Sequence, residues 1–445
     1  MSVGDEGPLA GEEVIGASEG RAGAEDRLDA LREARRELDE VIEEIRTVPG
    51  LETFLSAPTF DDITAAADDQ PIVYMSAAEP GGLALIVHGR EVRHIALDDL
   101  SKNALGERVS PYLEAYSNYR QDPPAGLAGW AVALDDVLRW LWDAALSPIL
   151  DELAEGSRPA VVAGGLLGML PLHAAWMPDA TAPTGRLYAL DRAVFSYTPN
   201  ARALSAARKV ALDSASGHAL VVVDPQPVSA NPLRWAAVEG AAVTAYGLPT
   251  KVLVGPEATA GAFGREAGSA SVLHLACHGV ADLDSPLDSG LLMAGNRWIT
   301  LRELLDMQLQ ARLAILSACE TSLPGTELPD EVVALPTGLL QAGVAGVIAS
   351  QWAVPDLGTA ILMSEFYRRW DWAAPAAALT AAQQWVRDTT NDEKVAEWQR
   401  ALADPSPWLS PEVGEMLIDQ LAFADPAARD HAEPRTWAAF AHVGA

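Results

Sequence analysis

From residue 159 onward, short apolar runs alternate with segments of helical period. Ala160–Ala163, Ala193–Tyr197, Leu220–Val223, Lys251–Val254, Ser271–Cys277, Ala311–Ser317 and Ala345–Ser350 read as strands, with helical patterns such as Trp235–Tyr246, Leu301–Met307 and Leu335–Ala342 between them. Continuous apolar strands separated by helices predict an α/β fold: a mostly parallel sheet covered by helices on both faces. Ahead of this lies a predicted meander. Pro71–Met75 and Leu83–Val87 flank Gly81-Gly82, and Val92–Leu97 follows a turn at His88-Gly89. Gln121–Gly126 reads as a loop, and Leu127–Leu153 as a long apolar-faced helix carrying Trp130, Trp140 and Trp142.

The first 23 residues are rich in Gly, Ala and Glu and are expected to be a disordered leader. Leu28, Leu31, Leu38, Ile42 and Ile45 then mark one face of a helix over Ala24–Thr47, which either packs on its own domain or docks a partner. We expect a leader and docking helix at 1–57, an accessory half at 58–158 and a catalytic core at 159–445. No repeat of solenoid period is evident.

Composition narrows the function. A net charge of −31 argues against nucleic acid and anionic membranes. Two cysteines in 445 residues form no disulfide framework, which fits a reducing cytoplasm. The N-terminus has no signal-peptide pattern. Pro159–Pro178 and Val332–Pro355 lack charges but are broken by Gly, Pro and polar residues, so they read as buried helix plus strand.

Both cysteines sit at strand-like runs: Ser271-Val272-Leu273-His274-Leu275-Ala276-Cys277-His278-Gly279 and Ala314-Ile315-Leu316-Ser317-Ala318-Cys319-Glu320-Thr321. His278 and Cys319 are 41 positions apart, about one strand–crossover–strand unit. A parallel crossover would deliver both to one sheet edge. A thiol is a good nucleophile as its thiolate, and an adjacent imidazole is the usual means of making one. His278 is therefore the candidate base and Cys319 the candidate nucleophile, with the backbone N–H groups of Gly279 and Cys319 as the candidate oxyanion hole. Alternation along the strand turns Cys277 into the core with Leu275 and Leu273. His274 lies about 13 Å back along the strand and reads as a hydrogen-bonded structural imidazole. A zinc set of His274, Cys277, His278 and Cys319 would be split between two faces and matches no zinc spacing. A Cys277–Cys319 disulfide is a further alternative. No metal or organic cofactor is needed for thiol chemistry of this kind.

The two signatures resemble those of the caspase-like clan of cysteine peptidases, and more closely the CHAT domain, over roughly residues 35–445. Other matches fall in order: Glu44–Gly50 leading to Phe54-Leu55, Gly165-Leu166-Leu167 with Leu170–Ala174, Tyr197–Asn200, Val221–Pro225, Glu257-Ala258-Thr259, Gln351–Asp356 and Trp437–Phe440. The resemblance implies a caspase-like three-layer sandwich and a peptidase acting on a protein substrate. It also implies that the Trp352–Asp356 run builds the pocket for a basic P1 residue, as in the related separases. Asp356 is the S1 candidate, with Trp352 beside it and Glu320, Asp284 and Asp288 as alternatives; a helix cap is the competing role for Asp356. CHAT domains are often fused to TPR repeats, which this chain lacks, so the resemblance implies a separate regulatory or sensor protein, with stress or antiphage defence as its setting. A catalytically silent interaction module is the rival reading, and self-processing at Arg21 or Arg27 a second. The stretch Asn391–Glu433 looks like an insertion.

Overall fold

A computed structural model describes residues 32–445 except 50, 53, 55, 215–216, 283–284, 318–333 and 405–407. The chain divides into two compact units, Met1–Thr59 and Phe60–Ala445. In the first, residues 32–46 are helical, and the Arg46 guanidinium donates to the Phe54 carbonyl at 2.8 Å.

The second unit is built on an eleven-stranded sheet. Across it, the strands run Glu91–Leu97, Gly81–His88, Ile72–Ala78, Ala160–Ala163, Ser196–Tyr197, Phe440–Gly444, Gly346–Ser350, Leu313–Leu316, Val272–Ala276, Ala219–Val223 and Thr250–Val254. The five strands from Gly346–Ser350 outward are mutually parallel. Phe440–Gly444 lies antiparallel to Gly346–Ser350 and parallel to Ser196–Tyr197. It therefore joins the five-stranded half to a second half that ends in the expected meander. The meander's second hairpin turns at Gly89, whose φ of 54° suits glycine.

Every residue of Ala219–Val223, Val272–Ala276, Leu313–Leu316 and Gly346–Ser350 is buried. That is why these runs are apolar without a break: both faces are covered. Val272, Ala276, Leu313 and Ile315 pack into the core on one face, and Leu273, Leu275, Cys277, Ala314 and Leu316 into that on the other. Cys277 is a core residue, as alternation predicts. His274 faces the opposite way from Cys277, towards the Tyr367 hydroxyl.

Two expectations change. Gln121–Gly126 is no loop: helix Lys102–Gln121 meets helix Pro123–Leu141 at Asp122, whose carboxylate accepts the Ala125 N–H at 3.4 Å. The long helix also changes pitch. Trp142–Leu146 is a π turn before Ser147–Asp151, where Pro148 has no N–H to continue the α ladder. The stretch read as an insertion contributes helices Asn391–Ala403 and Pro411–Leu421, and its Trp398, Val413 and Leu417 belong to the main core. No described helix is long and apolar enough to cross a membrane.

Several motifs are structural. His173 is buried between the Tyr197 hydroxyl at 2.9 Å and the Ala438 carbonyl at 3.1 Å. Asn200 caps helix Ala201–Asp213 by accepting the Ala203 N–H at 2.9 Å. Trp437 stands edge-on to Tyr188 at 5.0 Å.

Candidate functional site

The strands carrying the two signatures are immediate, parallel neighbours, with Leu273 opposite Ala314 and Leu275 opposite Leu316. Their carboxyl ends therefore leave the sheet side by side. One continues to Cys277 and His278, the other to Ser317. Between them the chain makes a crossover through a small antiparallel sheet, His278–Val280 with Gly290–Met293 and Arg297–Thr300, and then helix Leu301–Leu305. Thr300 and Glu303 form a capping box that starts this helix. Cys319 and Glu320 lie outside the described residues, as does Asp284.

His278 is half-buried, and its Nε2 lies 2.8 Å from the Asn231 carbonyl oxygen. A carbonyl can only accept, so Nε2 carries the hydrogen in this contact. In the neutral ring, Nδ1 is then the lone-pair nitrogen. The loop supplying that carbonyl is held by two carboxylates. Asp224 follows strand Ala219–Val223 with φ 41°, and its own N–H bonds the Ala276 carbonyl at 2.9 Å. Its Oδ1 accepts from the Leu233 N–H and the Gln226 side chain, both at 3.1 Å. Asp356 Oδ2 accepts the Trp235 N–H at 3.0 Å.

Asp356 begins helix Asp356–Arg369, where the helix dipole favours negative charge, but its side chain does not cap that helix. Burial holds its pKa above the ordinary carboxylate value. The N–H groups of Trp235 and Arg234 oppose that rise, nearby Asp224 adds to it, and His278 draws it down. Asp356 and His278 thus feel one another, and both line a small pocket with Ser317, Ser350, Glu239 and Cys277.

Trp352 is not at that pocket. It is fully buried, with its ring edge-on to Trp130 at 5.8 Å and its indole N–H donated to the Arg435 carbonyl at 2.9 Å. The next N–H, of Ala353, is taken by the Tyr116 hydroxyl at 2.9 Å. The Trp352–Asp356 run is therefore clamped at its start and presents Val354 and Asp356 to the pocket. Asp288 does not line the pocket either and lies 3.8 Å from Arg302. Gly279 is half-buried in strand His278–Val280, paired opposite Leu291.

Two participants escape sequence reasoning. Asn231 acts through its backbone, which has no side-chain signature. Glu239 is a buried carboxylate on helix Ala236–Ala245, and the signal was there: it is the one charged residue of that apolar helix. Gly240 lets the helix approach strand Ala219–Val223, since a Cβ there would meet a Val223 methyl at 2.9 Å. On the far side of the pocket floor, Glu239 lies 3.2 Å from Nε2 of His274, whose Nδ1 meets the Tyr367 hydroxyl at 3.0 Å. His274 is the structural imidazole its spacing suggests.

Residues 135–445 match the model of a family described as the CHAT domain. Two solved structures of the Saccharomyces cerevisiae separase–securin complex share the fold. One, at 8% identity and a TM-score of 0.55, covers 86% of this chain and 31% of the other; the second, at 8% and 0.53, covers 73% and 29%. The chain thus spans less than a third of the matched chains. No curated protein matches it.

Proposed function

The chain belongs to the CHAT-domain family, whose model matches more than half its length, and from that premise we propose that it is a cysteine endopeptidase. Its fold is caspase-like, shared with the separase–securin structures. The observation that carries the reading is the parallel pairing of Val272–Ala276 with Leu313–Leu316, which releases the His278 and Ser317 segments at one edge. Cys319 is two residues beyond Ser317.

In this proposal His278 takes the Cys319 proton at Nδ1 while Nε2–H stays on the Asn231 carbonyl. The thiolate attacks a peptide carbonyl, whose oxyanion is met by the backbone N–H groups of Gly279 and Cys319. His278 returns the proton to the leaving amine, then activates the water that hydrolyses the acyl-enzyme. Asp356 supplies the negative charge for a basic P1 side chain; its place in the His278 pocket supports this role. We further propose that a separate protein, with a TPR-containing sensor as a candidate, restrains this activity in the cytoplasm, in a stress or antiphage response.

N-terminal peptide profiling of cells expressing the wild type or Cys319→Ala tests the proposal. Cys319-dependent new termini, enriched after Arg or Lys, are the expected result. Intact mass would reveal self-processing at Arg21 or Arg27. With candidate partners supplied, identical profiles would overturn the peptidase and leave an interaction module.

A further inference from the structure

The edge of the sheet opposite His278 carries a second constellation, with chemistry of the other sign. In a chain of net charge −31, a cavity of about 270 Å³ is lined by Arg158, Arg208 and Arg312, with Asp69 as its carboxylate. Among the described residues, none of the three arginines has an Asp or Glu side chain within ion-pair distance, and Arg312 is met by the oxygen of Ala445. Arg312 is buried, and its guanidinium donates to the Trp372 carbonyl at 3.0 Å and the Ala445 backbone oxygen at 2.8 Å. Arg208 donates to the Ala66 carbonyl, and Asp69 reaches it only by longer-range attraction. Arg158 is exposed at the rim.

Two independent features converge on the same cavity. Helix Pro375–Asp388 starts there. It has no side-chain cap and no acidic residue in its first turn, and Ala376 and Ala377 at its N-terminal end line the cavity. The positive end of a helix dipole and its uncommitted N–H groups favour an anion. The second feature is His442, which is 2% exposed and, among the described residues, has no hydrogen-bond partner at either ring nitrogen. It fits only because Gly346 is opposite, since a Cβ at Gly346 would sit 2.7 Å from Nε2. Burial, reinforced by Arg312, keeps this imidazole neutral at physiological pH, so it offers one N–H donor. A buried polar group of this kind ordinarily has a partner.

We propose that this cavity binds a small phosphate-type anion, held by Arg158, Arg208, Arg312, the His442 ring and the start of helix Pro375–Asp388. Phosphate suits the donor set because guanidinium forks and helix N–H groups both match its tetrahedral oxygens. The site is independent of the peptidase reading. It adjoins the sheet at Arg312, the residue before strand Leu313–Leu316, whose other end leads to Ser317.

Titration of the full chain with inorganic phosphate and, separately, glycerol 3-phosphate tests the proposal, followed by ³¹P line broadening and calorimetry at constant ionic strength against chloride. Saturable one-to-one binding is expected. Arg208→Gln should weaken it roughly tenfold or more, as loss of a charge-assisted hydrogen bond implies. Ala376→Asp places a tethered carboxylate at the helix start and should abolish it, while circular dichroism shows both variants folded. Tighter binding of the ester would identify a phosphomonoester as the natural occupant, and equal binding free phosphate. No saturable response in the wild type, or unchanged binding in a folded Ala376→Asp variant, would overturn the assignment.

Discussion

Asp356 has two tasks that one pair of substitutions can separate. Its carboxylate accepts the Trp235 N–H, steadying the loop whose Asn231 carbonyl holds His278, and it lines the same pocket as His278. Asp356→Asn keeps an acceptor oxygen for Trp235 but removes the charge. If that charge receives a basic P1 residue, the loss is one charge-assisted contact, about 1.5–3 kcal/mol. In kcat/KM for a peptide with P1 Arg, that is a fall of roughly 10- to 150-fold. Asp356→Ala also strands the N–H groups of Trp235 and Arg234, a further cost of about 1–3 kcal/mol, and loosens the support of His278. The assay has two arms: peptide hydrolysis with P1 Arg against P1 Leu, and the pH dependence of Cys319 alkylation by iodoacetamide. The Asn variant should lose P1 Arg cleavage while its alkylation profile stays in place. The Ala variant should lose cleavage and shift alkylation to higher pH, because a poorly held imidazole stabilises the thiolate less well. Burial raises the Asp356 pKa, so P1 Arg cleavage in the wild type should fade, as pH drops, before an ordinary carboxylate would protonate. Wild-type cleavage of P1 Arg by the Asn variant would refute the S1 role. An unshifted alkylation profile in the Ala variant would refute the supporting one.

Other predictions concern stability. Burial lowers the His173 pKa from 6.5 to about 4. The unfolded chain binds that proton first, so stability is full above pH 6.5 and declines as pH falls towards 4. By pH 5 this one group accounts for about 2 kcal/mol. His173→Gln should shrink the difference in urea stability between pH 7 and pH 5 by that amount, and an unchanged difference would contradict the reasoning. Gly343 has φ 103°, and a Cβ there would fall 2.1 Å from the Leu309 carbonyl oxygen. Gly343→Ala should destabilise by about 2 kcal/mol or more, and an unaltered urea midpoint would refute it. Arg387 is buried between Asp191 at 2.8 Å and Asp388 at 2.6 Å. Arg387→Ala should cost about 1.5–3 kcal/mol by removing the charge-assisted hydrogen bonds to two half-buried carboxylates; a loss under about 1 kcal/mol would show the pairs to be solvent-screened.

How much of this could be read from the chain depended on what each element buries. Val272–Ala276 and Leu313–Leu316 announced themselves because strands covered on both faces must be apolar throughout. Helix Lys102–Gln121 did not. Its stripe of Leu105, Val109, Tyr112 and Tyr116 has helical spacing, but Pro111 interrupts it and most of the other positions are polar. Of strand Phe440–Gly444 only Phe440 stood in a motif, because five residues with a histidine and a glycine carry little β signal. Of the candidate site, His278 and Asp356 stood in recognisable runs, and the fold brings them to one pocket. Trp352 stood in the same run as Asp356 but serves the core. Spacing alone cannot tell an anchor from the residue it positions. The Asn231 carbonyl was out of reach, since any amino acid supplies one.

The placement of Phe440–Gly444 has a consequence for the timing of biosynthesis. This strand fills the gap between Ser196–Tyr197 and Gly346–Ser350, and Phe440 itself lines the His278 pocket. A ribosome makes both flanking half-sheets before it makes the strand that stitches them. The pocket therefore stays unfinished on the nascent chain, and the polypeptide gains its continuous sheet only when residues 440–444 leave the exit tunnel. Chains stalled before residue 440 should be cut readily by an added protease, whereas chains stalled well beyond 445 on a linker should resist it. Equal resistance would mean that the half-sheets close without their central strand.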